Sequence, residues 1–384
     1  MGKTKVLFRI RSLEMGGVNK VLIDILNHIS KEKLDITVMV NLYQGELRAD
    51  IPKDIHLIKI ARGKEDFSKN KWIHKLQLAA RRLKLTLLDQ LPKLMRFYYK
   101  KDYDIEIAFG KSELNMVKNS PQKKSKKIAW VHWEFSHEAI LNKSEQNIKT
   151  LQDFDQVIFC SANVRAQVKT LYGVTFPNSE IIPNVVHPEE VYEKSLEKID
   201  FEKSADVVSF SSVGRIKNGK GYPLLFRVHQ RLMQEGLQHR IIIIGNGDRY
   251  NDLRESAKHL GYDKSFLLLG NQNNPFPYIK NSDCFILPTQ SEAYPLSVKE
   301  ALVLGIPVLA TDTGGVNEIV TDNYDGLLLQ YNEDTIYQKM KMLITTPSLL
   351  QTLSNNAQKA NSKFETDAVY KKIEHIFTNN NTNG

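Results

Sequence analysis

Apolar residues recur along the chain in short runs separated by polar segments, and these runs set the expected architecture. Residues 5–10 (KVLFRI) and 36–41 (ITVMVN) read as short buried strands. Between them, Val18, Val21, Leu22, Ile25, Leu26 and Ile29 are spaced three and four apart, which predicts a helix over 18–30 with one apolar face. Residues 11–17 (RSLEMGG) form the loop joining strand to helix. Strand, tight loop, helix and strand within about 40 residues is a βαβ unit, whose expected geometry is a right-handed crossover in a parallel sheet.

The rhythm continues. Further strands are expected at 56–60, 105–109, 127–131, 156–160 and 181–183, with a helix over 163–172 closed by Gly173. Residues 188–205 are charged and lack an apolar period, so they read as a linker. A second series follows, with strands at 207–213, 240–244, 266–269, 284–287, 307–310 and 326–329. Helices are expected at 224–235, 250–260, 295–304, 333–345, 347–363 and 368–377, before a polar tail, 379–384, expected to fray. The pattern predicts an α/β fold of two Rossmann-like domains, 1–187 and 206–364, facing one another across a cleft.

Composition narrows the class. A length of 384 residues suits two domains, and 41% hydrophobic with 25% charged residues excludes disorder or a collagen-like whole chain. Cys160 and Cys284 sit in apolar runs with no partner at metal-ligand spacing, so they read as buried strand thiols, compatible with a reducing compartment. The N-terminal apolar run is too short and mixed for a signal peptide, and no window suits a transmembrane helix. A cytoplasmic place is expected, with peripheral contact at the inner face of the cell membrane left open.

Charge adds an asymmetry. The chain carries 53 Lys+Arg against 44 Asp+Glu, a net +9. Residues 62–101 hold 12 basic and 3 acidic side chains, while the chain from 191 onward is nearly neutral. An anionic partner is therefore expected for the first half. Within that segment, Leu76, Ala79, Ala80, Leu83, Leu87 and Leu88 fall near one helical face, and Lys75, Arg81, Arg82 and Lys84 occupy others. Pro92 interrupts the helix. Basic residues with Trp72 and Tyr99 suit an interfacial membrane helix, and the same pattern suits a helix packed on its own domain.

The candidate chemistry is densest at 291–320 (SEAYPLSVKEALVLGIPVLATDTGGVNEIV). Glu292 would precede a helix begun at Pro295, and Glu300 would project from within it. Both would reach the carboxyl edge of the sheet, where open α/β sheets bind ligands, and amides near Leu296 and Ser297 would favour a phosphate. Taken alone, the pair also reads as two solvated glutamates.

This stretch resembles the E-x7-E region of retaining GT-B glycosyltransferases of family 4, the glycosyltransferases of group 1, of the kind found in bacterial surface-polysaccharide synthesis. Residues 213–222 (VGRIKNGKGY) are similar to that family's phosphate loop, with Arg215 and Lys220 at its usual separation. Residues 241–248 (IIIIGNGD), 268–278 (LLGNQNNPFPY), 282–291 (SDCFILPTQS) and 155–185 extend the resemblance in order. Two departures stand out: Asn184-Val185 where the family often has Asn-Gly, and Glu292-Ala293 where it often has Glu-Gly.

The resemblance implies a hexosyltransferase acting on a nucleotide-diphosphate sugar, UDP-linked, with a glycan or polyprenyl-linked glycan hydroxyl as acceptor. Arg215 and Lys220 would stabilise the leaving diphosphate, Glu292 would orient the sugar and Glu300 the ribose. His132, after the strand at 127–131, would lie near the reaction centre. Donor contacts would come from Gly16, Gly17, Gly245, Asn246, Leu269, Gly270, Asn271, Leu296 and Ser297. Residues 365–384 would pack back on the first domain. No cofactor and no metal is implied; Asp102-Tyr103-Asp104, a D-x-D triplet, reads as the solvated start of a strand.

Lesser candidates are Glu134, Glu138 and the Gly110-Lys111-Ser112 triplet. A basic nucleic-acid-binding protein is the first alternative; it leaves the Arg215/Lys220/Glu292/Glu300 set unexplained, and no nucleic acid is expected as a partner. An NAD-dependent oxidoreductase is the second; its G-x-G-x-x-G is missing from the first βα turn.

Overall fold

The structure, a computed structural model, describes residues 2–136, 141–201, 203, 206–360, 364 and 366–379. Glu138 and most of the tail therefore lie outside the described residues. The chain forms two compact units. One comprises Met1–Pro183 with Asp367–Gly384, and the other Asn184–Thr366.

The first unit holds β1 (Thr4–Ile10), β2 (Leu34–Tyr43), β3 (His56–Arg62), β4 (Ile105–Ala108), β5 (Lys126–Val131), β6 (Gln156–Phe159) and β7 (Ser179–Ile181). Their order is β3-β2-β1-β4-β5-β6-β7. The second unit holds β8 (Val208–Val213), β9 (His239–Ile244), β10 (Phe266–Gly270), β11 (Cys284–Leu287), β12 (Val308–Thr311) and β13 (Gly326–Leu329), ordered β10-β9-β8-β11-β12-β13. The pairings that define both sheets are parallel. Both orders reverse direction once, between β1 and β4 and between β8 and β11, the doubly wound arrangement.

The side-chain alternation of the central strands shows why each sheet needs helices on both faces. Cys284, Ile286 and Leu309 join one buried cluster with Leu225, Leu232 and Ile336 from flanking helices. The intervening Phe285, Leu287, Val308 and Ala310 join another with Val298 and Leu302. Successive strand residues point to opposite faces, so strands apolar at every position must be covered twice.

The last helix, Asp367–Thr378, belongs to the first unit. Phe377 meets Phe8 of β1 edge-on at 5.9 Å, Tyr370 donates to Asp24 at 2.6 Å, and the Ser30 amide donates to Glu374 at 2.8 Å. The segment 188–205, read from sequence as a linker, opens instead with a helix, Pro188–Lys194, in the second unit. Proline at the first turn and Glu189 and Glu190 beside it favour a helix start. Val191 alone supplies the buried contact, too little to leave a period in the sequence.

The basic segment forms a helix, Lys71–Gln90, whose first amides at Trp72 and Ile73 donate to the Asn70 side chain. One face is tied down: Arg81 donates to the Gln44 side chain at 2.9 Å, Lys84 to the Ile60 carbonyl at 2.5 Å, and Leu88 is buried with Ile58 and Ile60. Leu88 thus does not share the face of Leu76, Leu83 and Leu87. Those residues point outward, with Trp72 77%, Leu76 70% and Leu83 62% exposed. Phe97, beyond Pro92, is 85% exposed.

Candidate functional site

The site is built where β8, β9 and β11 end. After β8 the chain turns through residues 214–221 before the helix Tyr222–Gln234. Gly214 donates its amide to Ile244 at 3.0 Å, Ile216 to the Asn246 carbonyl at 3.0 Å, and Gln290 to the Gly219 carbonyl at 2.8 Å. These bonds strap the loop to the ends of β9 and β11. Gly221 has φ +74°, and a Cβ there would lie 1.6 Å from the Pro288 carbonyl oxygen. Only glycine allows so close an approach in that conformation.

The straps set the side chains. Lys220 forms an ion pair with Glu292, which lies 72 residues later, and both side chains are about one-fifth exposed. Arg215 and Lys217 project from the same loop into solvent. Lys217, not singled out from the sequence, has its ammonium pushed below the ordinary lysine range. Partial loss of hydration is the main cause; Lys220 and Arg215 push the same way, and Glu292 and Asp248 oppose them. Three cations on one loop crowd each other, a field that an anion would relieve. Beneath them, the buried Tyr222 hydroxyl meets Ser212 at 3.3 Å, and burial raises its pKa above the usual phenol range.

Glu292 is fixed from behind. Gly314, at φ +54°, passes so near that a Cβ would lie 1.6 Å from the Glu292 carbonyl oxygen, and Gly315 donates its amide to Ala293 at 2.8 Å. The helix Leu296–Val303 then begins with Pro295 as its cap residue and no side-chain cap. Leu296 and Ser297 are half-buried in its first turn, and Glu300 is buried within it. Its neighbour Lys299 is buried too, donating to the Asn184 carbonyl at 2.8 Å, and burial pushes its ammonium down to about 8.

The remaining donor-side candidates lie on the adjoining strand ends. Gly245 donates its amide to Gly270 at 2.8 Å, and the Leu269 carbonyl accepts from Gln272 at 2.9 Å. Asn246 and Asn271 follow these two strands. The structure therefore brings Lys220 and Glu292 into contact, places Arg215 on the same loop, and sets the Gly245, Asn246, Leu269, Gly270 and Asn271 group at neighbouring strand ends. A cavity of about 330 Å³ opens beside the loop, lined by Asn218, Gly219, Gly221, Arg227, Arg249 and Tyr331 among others. Neither glutamate lines it, and Arg227 and Arg249 are paired to Glu333 and Asp252.

In the first unit, Gly16 precedes the helix Gly17–His28 at the end of the loop after β1. His132 follows β5, its ring against Phe109 at 4.5 Å and stacked over Trp130 at 5.9 Å. Burial pushes its pKa down to about 3, so the ring is neutral. Neither ring nitrogen has a hydrogen-bond partner among the described residues. Glu134, buried nearby, accepts from the Ser136 amide at 2.6 Å.

The Gly110-Lys111-Ser112 triplet leads to Glu113, which sequence reasoning missed. Glu113 is fully buried, accepts from Ser112 at 2.8 Å and Asn41 at 3.2 Å, and is pushed up to about 7 by burial. Asp104 of the D-x-D triplet accepts from the Lys5 amide at 2.7 Å, at the amino end of β4, away from the carboxyl edge that carries His132 and Glu113.

The second-unit constellation is suited to anions. It offers three loop cations, a helix start with no side-chain cap and two carboxylates, of which Glu292 pairs with Lys220, rather than a set of hard-metal ligands.

Comparison with known proteins bears on the family and the fold. Residues 194–360 match the family described as Glycosyl transferases group 1. A Campylobacter jejuni N-acetylgalactosamine-N,N'-diacetylbacillosaminyl-diphospho-undecaprenol 4-alpha-N-acetylgalactosaminyltransferase is 28% identical over 50% of this chain and 52% of its own. An Escherichia coli UDP-Gal:alpha-D-GlcNAc-diphosphoundecaprenol alpha-1,3-galactosyltransferase is 28% identical over 50% of this chain and 51% of its own. The chain spans about half the length of these curated relatives. In fold, Anabaena HepE, solved in complex with UDP, superposes with a TM-score of 0.72 at 17% identity, covering 98% of this chain and 100% of that one. Residues 194–360 thus match the glycosyl transferases of group 1, and the chain as a whole has the GT-B fold.

Proposed function

We propose that the chain is a retaining glycosyltransferase that moves a sugar from a UDP-sugar to a hydroxyl of a glycan or lipid-linked glycan in surface-polysaccharide synthesis. The observation that carries this reading is the meeting of Lys220 with Glu292 beside Arg215 and Lys217. Cleaving the sugar–phosphate bond builds negative charge on the leaving diphosphate, and cations already aimed at that position stabilise it without reorganisation. Arg215 supplies a planar fork for phosphate oxygens and Lys220 a point charge. Amides at Leu296 and Ser297, at the uncapped start of their helix, add donors.

Glu292 orients the sugar hydroxyls, and Glu300 accepts from the ribose diol. Gly245, Asn246, Leu269, Gly270 and Asn271 supply the backbone edge that holds the base. In the first unit, Gly16, Gly17 and a neutral His132 are the residues offered to substrate; at a pKa of about 3 the histidine is a neutral contact rather than a proton store. The UDP and lipid-linked acceptor assignments are supported by the names of the two relatives above, and retention by the resemblance to a retaining family. The chemistry needs no metal, because loop cations take the place a divalent ion would hold.

The enzyme works in the cytoplasm, against the inner face of the membrane. No helix among the described residues is long and apolar enough to cross a membrane. The helix Lys71–Gln90 instead turns Trp72, Leu76 and Leu83 outward, with Lys71, Lys75 and Arg82 also exposed. Apolar residues flanked by cations match an anionic bilayer surface, each cation contributing about 1 kcal/mol.

The test is transfer itself. The protein is incubated with UDP-, GDP- and ADP-linked hexoses and a polyprenyl-diphosphate-linked glycan, with and without EDTA. The expected result is an α-linked product from an α-linked UDP donor, unchanged by EDTA. An inverted product, a requirement for added Mn²⁺, or transfer from none of the donors contradicts the reading.

A further inference from the structure

The two glutamates are separated by a bend, Ala293-Tyr294-Pro295, and something must hold that bend for both carboxylates to face one ligand. One support is the contact with Gly314 and Gly315 described above. A second comes from Asn184, the first residue of the second unit. Its side-chain amide donates to the Tyr294 carbonyl at 2.8 Å, in the middle of the bend. Its own carbonyl accepts from the Lys299 ammonium at 2.8 Å, and Lys299 immediately precedes Glu300. Asn184 therefore bridges the bend after Glu292 to the helix carrying Glu300.

Lys299 also lies 4.7 Å from the centre of the Phe364 ring, close to where the second unit ends, and 5.5 Å from that of Tyr294. It is 5% exposed. An ammonium buried against two aromatic rings and a carbonyl is costly, and a methionine of similar length would fill the space without that cost. What methionine cannot do is donate to Asn184.

We propose that Lys299 and Asn184 are positioning residues that set the spacing and direction of Glu292 and Glu300. Neither touches the donor; both act through the bend and the helix. The proposal rests on the reading of the two glutamates as donor contacts.

The test compares Lys299→Met, Asn184→Ala and the double variant with the parent and with Glu300→Gln. Binding of UDP, GDP and ADP is measured by calorimetry, melting temperature by calorimetric scan, and amide exchange across 293–300 in the free protein. Whichever nucleotide the parent binds, Lys299→Met is expected to bind it about tenfold more weakly while melting within a few degrees of the parent. The double variant should bind no more weakly than the worse single one, because both changes break one chain of hydrogen bonds. Amides 294–300 should exchange faster in Lys299→Met than in the parent.

If Glu300→Gln weakens binding and Lys299→Met does not, the positioning role is overturned and the donor reading stands. Single effects that multiply in the double variant overturn it as well. If the parent binds no nucleotide, the donor reading falls; unchanged exchange at 294–300 in Lys299→Met would then remove the brace itself.

Discussion

The two sheets share the order of their first six strands, yet the ionisable groups at their carboxyl edges are held differently. At the edge of the first sheet, burial disfavours the charged form of two groups: His132 is held down to about 3, and Glu113 up to about 7 against the pull of Arg9 and Arg11. At the edge of the second, Arg215, Lys217 and Lys220 are held on a loop that stays in reach of solvent, facing Glu292. Strand order thus fixes where a site can form, and the loops leaving each strand decide its charge. A neutral imidazole, and a carboxyl that keeps its proton to about pH 7, suit a place where a neutral hydroxyl approaches. A cationic edge suits a diphosphate.

The comparison breaks most visibly at Lys220. Lys220→Ala is expected to slow transfer by about 10²–10³-fold, the range for removing one preorganised donor of a developing anion. Its melting temperature should stay near the parent's, because the change removes a part-exposed side chain and one ion pair and opens no cavity in the core. Initial rates and a thermal scan decide this; near-normal transfer would strip the second edge of its assigned role.

Glu113 sharpens the first edge. Its carboxyl has an ordinary value of 4.5 and about 7 in the fold. Between these values the unfolded chain releases the proton and the fold keeps it, so stability falls as pH rises through the window. The loss is on the order of 3 kcal/mol. Glu113→Gln should flatten that slope in denaturant titrations at pH 4.5 and 8. A slope identical to the parent's would mean that the carboxyl ionises freely in the fold.

Gly221→Ala tests the strap between the loop and β11. The new methyl would meet the Pro288 carbonyl, and the positive φ would be strained, with an expected loss of about 1–3 kcal/mol. Chemical denaturation reads it, and an unchanged midpoint would show that the loop is free to move. The smallest expected effect concerns the outward helix face. Replacing Trp72 and Leu83 with serine should weaken association with anionic liposomes about tenfold at unchanged melting temperature, the scale of burying part of two apolar side chains. Equal sedimentation of variant and parent would return the stripe to ordinary surface.

Much of this was legible in the sequence because it depends on local order. β-Branched runs marked most of the strands, and the spacing of Glu292 and Glu300 marked a loop and a helix. What stayed hidden depends on distant partners. Lys217 reads as one more loop residue until Lys220 and Arg215 crowd it. Glu113 looks like a surface glutamate in a polar turn, and becomes buried because Asn41 of β2 and Ser112 converge on it. Periodicity showed that the helix at 71–90 was amphipathic, but it could not say which face turned inward. That choice is made by Arg81 and Lys84, whose donors reach Gln44 and Ile60. Asn184 and Lys299 are 115 residues apart, and no local pattern links them.

If the loop after β8 and Glu292 form one nucleotide-diphosphate site, Lys220 must contribute to holding the diphosphate. Calorimetric titration of UDP into the parent protein and into Lys220→Ala tests it most directly. Saturable, one-site binding to the parent is expected in EDTA-treated buffer, weakened at least tenfold in the variant. Equal affinities for parent and variant, or no binding of UDP by the parent, would contradict it.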